Sequence, residues 1–110
     1  FFKQKTAYDI ATQIYTKFGN ELKALLCAND NMALGAVQAL RGKGIQIVGF
    51  DNISAIQTLI KEGKVLCTVD QHADKIAVNG IEYALEILKT GVKPDDRETM
   101  VNLVTAGDLK

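Results

Sequence analysis

The sequence predicts an α/β fold built on a doubly wound parallel sheet, and three observations carry that reading. Apolar runs of strand length occur at Ala24-Leu25-Leu26-Cys27-Ala28, Ile45-Gln46-Ile47-Val48-Gly49-Phe50 and Val65-Leu66-Cys67-Thr68-Val69, the pattern of buried parallel strands. Each run stops on acid or amide groups, at Asn29-Asp30, Asp51-Asn52 and Asp70-Gln71. Beyond each stop the apolar residues recur at spacings of three and four, the helix period.

A first helix is predicted from about Lys3 to Phe18, with Ala7, Ile10, Ala11, Ile14, Tyr15 and Phe18 on one face, ended by Gly19-Asn20. The strand Ala24–Ala28 leads into a helix from about Asn31 to Arg41. Gly42-Lys43-Gly44 makes a tight turn in which glycine can take positive φ. After the strand Ile45–Phe50 comes a short helix with Ile53, Ile56, Leu59 and Ile60, stopped by Gly63. The strand Val65–Val69 feeds a long helix from about Asp74 to Thr90, expected to be buried through Ala77, Ile81, Ala84, Leu85 and Leu88 and capped by Gly91. Val92–Arg97 reads as a polar loop, and Thr99–Val104 as a last strand. The order αβαβαβαβ predicts parallel strands joined by right-handed crossovers.

The 110 residues make at most one domain, able to bury roughly two-thirds of its unfolded surface. Thirteen basic and thirteen acidic residues cancel, so no net field attracts nucleic acid or an anionic membrane. No run approaches the roughly 18 apolar residues of a membrane span, so no direct membrane insertion is expected. The opening Phe1-Phe2-Lys3-Gln4 is neither an initiator methionine nor a signal peptide, and reads as a cut from a longer chain. Cys27 and Cys67 fall in strands two apart, beyond the ~7 Å Cα separation that a disulfide tolerates, and are expected as buried free thiols.

Little here supplies catalysis. The single histidine, His72, has no serine or cysteine at a recognisable motif spacing and is expected on a solvent-facing loop. The Gly42-Lys43-Gly44 pattern sits at a helix end, where no N-terminal dipole can hold phosphate. No Cys/His spacing suggests zinc. The chain therefore reads as a binder, not an enzyme, with no cofactor and no metal.

In open α/β sheets ligands sit beyond the carboxyl ends of the strands, and that crevice is loaded here with Asn29, Asp51 and Gln71. Each acid also has a structural role open to it. Asp30 is expected to cap the helix after it, and Asp51, Asp70 or Asp74 could do the same for later helices. A carboxylate accepts two hydroxyl protons and an amide both donates and accepts, a match to a vicinal diol. The expected ligand is polar and uncharged. Phe2 is the fourth candidate, since an aromatic face can cover the C–H side of a sugar ring, although a core phenylalanine is the ordinary alternative.

The stretch Leu26-Cys27-Ala28-Asn29-Asp30-Asn31-Met32-Ala33-Leu34-Gly35-Ala36 resembles a signature of the ribose-type periplasmic sugar-binding proteins, of the type I periplasmic-binding-protein superfamily. Val48-Gly49-Phe50-Asp51, Ile60-Lys61-Glu62-Gly63-Lys64 with Thr68-Val69-Asp70-Gln71, and Val101-Asn102-Leu103-Val104-Thr105 resemble the family's later segments, in its order. The resemblance implies the C-terminal part of a bilobed fold that closes on one monosaccharide, a pentose or hexose, and delivers it to the permease of an ABC importer. It also implies sugar contacts at Asn29, Asp51 and Gln71, with Phe2 stacked on the ring. Lys3-Gln4 stands where an acidic–basic pair often follows the aromatic, and Asn52 replaces the glycine more usual after the aspartate.

The family's proteins are more than twice this length, so the resemblance implies that an N-terminal portion of the same protein supplies most of one lobe. Residues 1–70 would then belong to the second lobe, and residues 71–110 to the hinge, a long helix and a closing strand associated with the first. The implied location is the periplasm, or the cell exterior on a lipid anchor, with the signal sequence outside this chain. The rival is the effector-sensing domain of a lactose-repressor-type regulator, which shares the fold. Its proline-leucine and paired threonines ahead of the glutamine, and its arginine-rich final strand, have no match in Lys64-Val65-Leu66-Cys67-Thr68 or Asn102-Leu103-Val104-Thr105.

Overall fold

A computed structural model describes residues 2–110. Helix α1 spans Phe2–Phe18 and a 3-10 turn, Gly19–Glu21, leads to strand β1, Ala24–Leu26. Then follow α2 (Asp30–Ala39), β2 (Gln46–Val48), α3 (Ser54–Lys61), β3 (Cys67–Asp70), α4 (Ala73–Thr90) and β4 (Asn102–Thr105). The α/β alternation is the expected one. The strands are shorter than the apolar runs, since Cys27-Ala28 and Gly49-Phe50 follow the first two strands toward the next turn and Val65-Leu66 precede the third. Cys27 N–H still donates to Val48 O at 2.9 Å, so the β1–β2 alignment outlasts the strand itself.

The four strands form one sheet in the order β1-β2-β3-β4. β1, β2 and β3 run parallel, whereas β4 pairs antiparallel with β3, from Cys67↔Thr105 to Asp70↔Asn102. This corrects the expectation of a fourth parallel strand. The 18 residues of α4 carry the chain about 27 Å outward at 1.5 Å per residue. The extended return over 92–101 brings it back to the level it left, so the chain re-enters at Asp70's end of β3. β4 therefore sits in the sheet of β1–β3, beside β3.

One core joins α1, α2 and α3 to the sheet: Ala11, Ala33, Ala36, Leu40, Ile47, Ile56, Ile60 and Val65. Helix α1 lies close on α2 because Gly35 has no side chain, and a Cβ there would stand 2.2 Å from the Gln4 carbonyl oxygen. The face of α1 expected to be buried is so only at Ala11, while Ile10 and Phe18 stay exposed. A larger correction concerns α4, in which no residue is buried. Ile81, Leu85 and Leu88 of its expected core stripe are 63%, 62% and 83% exposed. The stripe exists, but the described residues contain no element that covers it. Both thiols are free, with Cys67 buried and Cys27 partly so, and burial pushes each above its ordinary pKa.

Candidate functional site

The first strand end shows which residue caps α2. Asn29 takes an extended conformation (φ −153°, ψ 171°) and its Oδ1 accepts the Met32 N–H at 2.9 Å. The cap is therefore Asn29, not Asp30 as expected. Capping uses one acceptor position of an amide that also carries two donors. Asp30 is the first residue of the helix and is completely buried. Its Oδ1 accepts the Thr68 hydroxyl at 2.7 Å, its Oδ2 accepts the Ile53 N–H at 2.9 Å, and its own N–H donates to Phe50 O at 2.8 Å. The opening turn of α2 adds a favourable dipole for an anion. Gly49 makes the room, since a Cβ there would lie 2.0 Å from Asp30 Oδ1.

At the second strand end, Asp51 and Asn52 have φ of 124° and 60°. Asparagine is one of the few residues that enter the left-handed region readily, which suits Asn52 to this turn. Asp51 N–H donates to Val69 O at 2.8 Å, and its carboxylate Oδ1 accepts the Gln71 Nε2 donor at 2.8 Å. Asp51 does not cap α3, whose cap position is Ile53 with no side-chain cap bond. Asn52 is tied on three sides. Its N–H reaches Thr68 Oγ1 at 3.3 Å, its Nδ2 donates to Asp70 Oδ2 at 3.0 Å, and its Oδ1 accepts from Gln57 Nε2 at 3.0 Å.

The third strand end continues this network. Asp70 Oδ1 accepts the His72 backbone N–H at 2.8 Å, and that bond, followed by the Asn52 amide, holds the Asp70 carboxyl below its ordinary pKa of 3.8. His72 has φ 53° and its Nε2 stands 2.5 Å from Asn102 Oδ1. It is partly buried and bonded to β4, rather than a solvent-facing loop residue. Because the folded-state pKa of Asp70 is depressed, its bonds contribute fully above the unfolded value and are lost as pH falls through the lower, folded one. Thermal stability of the complete protein should therefore drop below pH 3.8, and Asp70→Asn should flatten that part of the profile. A mutant profile as steep as the parent's would show that Asp70 is not the group responsible.

The structure thus brings Asp51 and Gln71 into direct contact, and the Asp30–Phe50 bond places Asn29 at the neighbouring strand end. Phe2 opens α1 and is 83% exposed. Gln4 Nε2 reaches Asn31 Oδ1 at 3.5 Å, so the start of α1 stands beside the start of α2, at the same end of the sheet as Asn29. Gln71 and Phe50 also line a cavity walled by Asn79, Tyr83 and Arg97. Arg97 is engaged there, with Nη1 2.6 Å from Glu82 Oε2 and the guanidinium 5.0 Å from the Tyr83 ring centre. A larger groove lies elsewhere, around Val37, Arg41, Gly44 and Lys64, and none of the candidate residues lines it. No group of three or more His, Cys, Asp or Glu able to hold a metal occurs among the described residues.

Sequence reasoning missed Thr68 and the burial of Asp30. The available signal was Gly49, because an isolated glycine inside a strand pattern marks a close approach. Asn29, Asp51 and Gln71 together present one carboxylate and two amides, a set that both accepts and donates hydrogen bonds.

The chain belongs to the periplasmic binding protein domain family, whose model matches residues 2–93. A D-ribose/D-allose-binding protein of Pseudomonas aeruginosa is 50% identical over 95 residues, 78% of this chain and 30% of that protein. The crystal structure of an ABC transporter solute-binding protein from Burkholderia multivorans, with an unknown ligand interpreted as α-D-erythrofuranose, superposes with a TM-score of 0.84 at 45% identity. That match covers 93% of this chain and 38% of the other. The chain thus spans about a third of the length of the relatives it matches. A match of 35% identity over 75 residues, 63% of this chain and 22% of the other, is to the "Probable HTH-type transcriptional repressor ExuR" of Bacillus subtilis. The fold is that of the type I periplasmic binding proteins, present here in part.

Proposed function

We propose that the chain is the C-terminal portion of a periplasmic protein that closes two lobes on a neutral monosaccharide, a pentose or hexose, and delivers it to the permease of an ABC importer. The observation that carries this reading is the Asp51 carboxylate bonded to the Gln71 amide at 2.8 Å, at the ends of neighbouring strands. With sugar present, Asn29, Asp51 and Gln71 bond its hydroxyls and Phe2 lies against the ring. The sugar names carried by the relatives agree with that chemistry. Calorimetry on the complete protein against a panel of neutral sugars, including D-ribose and D-allose, and of amino acids and sugar phosphates is the test. Tight binding of an anionic or amino-acid ligand with no sugar response would refute it.

Residues 71–101 are assigned to the other lobe. Support comes from the bare stripe of α4 and from Asp70 and Asn102 pairing where the excursion leaves and returns. In this reading β4 returns to the first unit, and the missing N-terminal portion covers α4. Val69–His72 absorbs the closing rotation, as element-terminal residues do in hinges, and Gln71 meets sugar only on closure. Open and sugar-bound structures of the complete protein should differ in the backbone dihedrals of Val69–His72 while Ile45–Phe50 superposes rigidly. If β3 and α4 move as one body, the hinge is elsewhere.

The second reading, the sensing domain of a sugar-responsive repressor, has the ExuR match in its favour. The full-length sequence separates the two: a signal peptide upstream of Phe1 supports the importer, and a helix-turn-helix supports the repressor.

A further inference from the structure

We propose that Asp30 is the positioning residue for the sugar contact at Asp51, a role that rests on the sugar-binding reading above. Two polar groups of Asp30 bond the turn that carries Asp51, and a third reaches it through Thr68. The Asp30 N–H holds the Phe50 carbonyl oxygen at 2.8 Å, fixing the residue before Asp51. Oδ2 takes the Ile53 N–H at 2.9 Å, fixing the peptide after Asn52. Oδ1 takes the Thr68 hydroxyl at 2.7 Å, and the oxygen of that hydroxyl accepts the Asn52 N–H at 3.3 Å. Asp30 therefore grips the near end of the Asp51-Asn52 pair with its backbone N–H, the far end with its side chain and, through Thr68, the middle.

The turn needs that grip. Asp51 at φ 124° and Asn52 at φ 60° are in backbone conformations that non-glycine residues keep only where their surroundings impose them. The chemistry also explains an acid at this position. An amide has a single oxygen with an NH2 opposite, so it could not accept from both the Thr68 hydroxyl and the Ile53 N–H on its two sides. A carboxylate accepts from both. Its burial is tolerated because these donors and the start of α2 replace the lost hydration. The consequence is a fixed Asp51 carboxylate, 2.8 Å from Gln71 Nε2, rather than one that samples several directions.

The test is a set of double-mutant cycles on the complete protein, read by calorimetry with D-ribose and D-allose as probes. Asp30→Asn and Thr68→Val should each weaken binding about tenfold when Asp51 is present, the range expected for a hydrogen bond to a charged group. In an Asp51→Ala background either change should cost under about twofold, because two residues acting through one contact are not additive. An equal penalty in both backgrounds overturns the positioning role and leaves Asp30 a general support of the fold. If Asp51→Ala alone leaves sugar binding intact, the sugar-contact reading itself falls, which is a separate result. Thr68→Val keeps a side chain of similar shape and decides the matter by the same cycle should Asp30→Asn not fold.

Discussion

Gly49→Ala is expected to be strongly destabilising for a change of a single methyl group. The added Cβ would stand 2.0 Å from Asp30 Oδ1 and 3.4 Å from the Ala33 Cβ. Asp30 cannot swing aside without releasing Thr68 and Ile53 N–H in a place that water does not reach. Overpacking alone costs about 1–3 kcal/mol, and each buried partner left unsatisfied adds about 1–3 kcal/mol. A loss of roughly 3 kcal/mol or more follows, measurable as a shift of the urea midpoint of the complete protein. Gly35→Ala is the control. Its Cβ would meet the Gln4 carbonyl oxygen at 2.2 Å and so also destabilise, by pushing α1 off α2. Gly49→Ala should lower sugar affinity through the Asp51 turn, whereas any loss in Gly35→Ala should come through Phe2 at the start of α1 and vanish in a Phe2→Ala background. If Gly49→Ala costs under 1 kcal/mol, the packing of Asp30 against the strand is looser than the geometry implies.

What was legible in the sequence divides along physical lines. Buried strands and helix faces announce themselves by local apolar periodicity, so β1, β2, β3 and the helices between them stand where that pattern puts them. The direction of β4 has no such signature, since an apolar run reads the same whichever way it enters a sheet. Its antiparallel pairing depends on the out-and-back length of residues 71–101. The apolar stripe of α4 was equally visible, but burial needs a partner surface and none is present among the described residues. At the site, Asn29, Asp51 and Gln71 were readable as strand ends. The exchange of roles between Asn29 and Asp30 was not, because both are good cap formers. The choice turns on Thr68, 38 residues away, and on the side chain that Gly49 lacks. Long-range contacts of that kind leave only a faint local trace.

Asp51→Gly should separate binding from stability. Aspartate at φ 124° bears strain of order 1–3 kcal/mol that glycine does not. Glycine in turn costs about 0.5–1 kcal/mol more in unfolded-chain entropy, and the change forfeits the bond from Gln71 to the carboxylate, worth about 1.5–3 kcal/mol. These contributions nearly cancel, so the complete protein should unfold within about 1 kcal/mol of its parent. Sugar affinity has no such compensation. Losing hydrogen bonds to a charged partner removes about 1.5–3 kcal/mol, a fall of roughly ten- to hundredfold in affinity. A side chain kept at a position where the backbone favours its absence is a sign that the side chain is needed for something other than folding. Calorimetry of Asp51→Gly beside a denaturation curve reads both quantities on one sample. If affinity stays within twofold while stability rises, Asp51 is a strained turn residue and the hydroxyl contact belongs to another side chain.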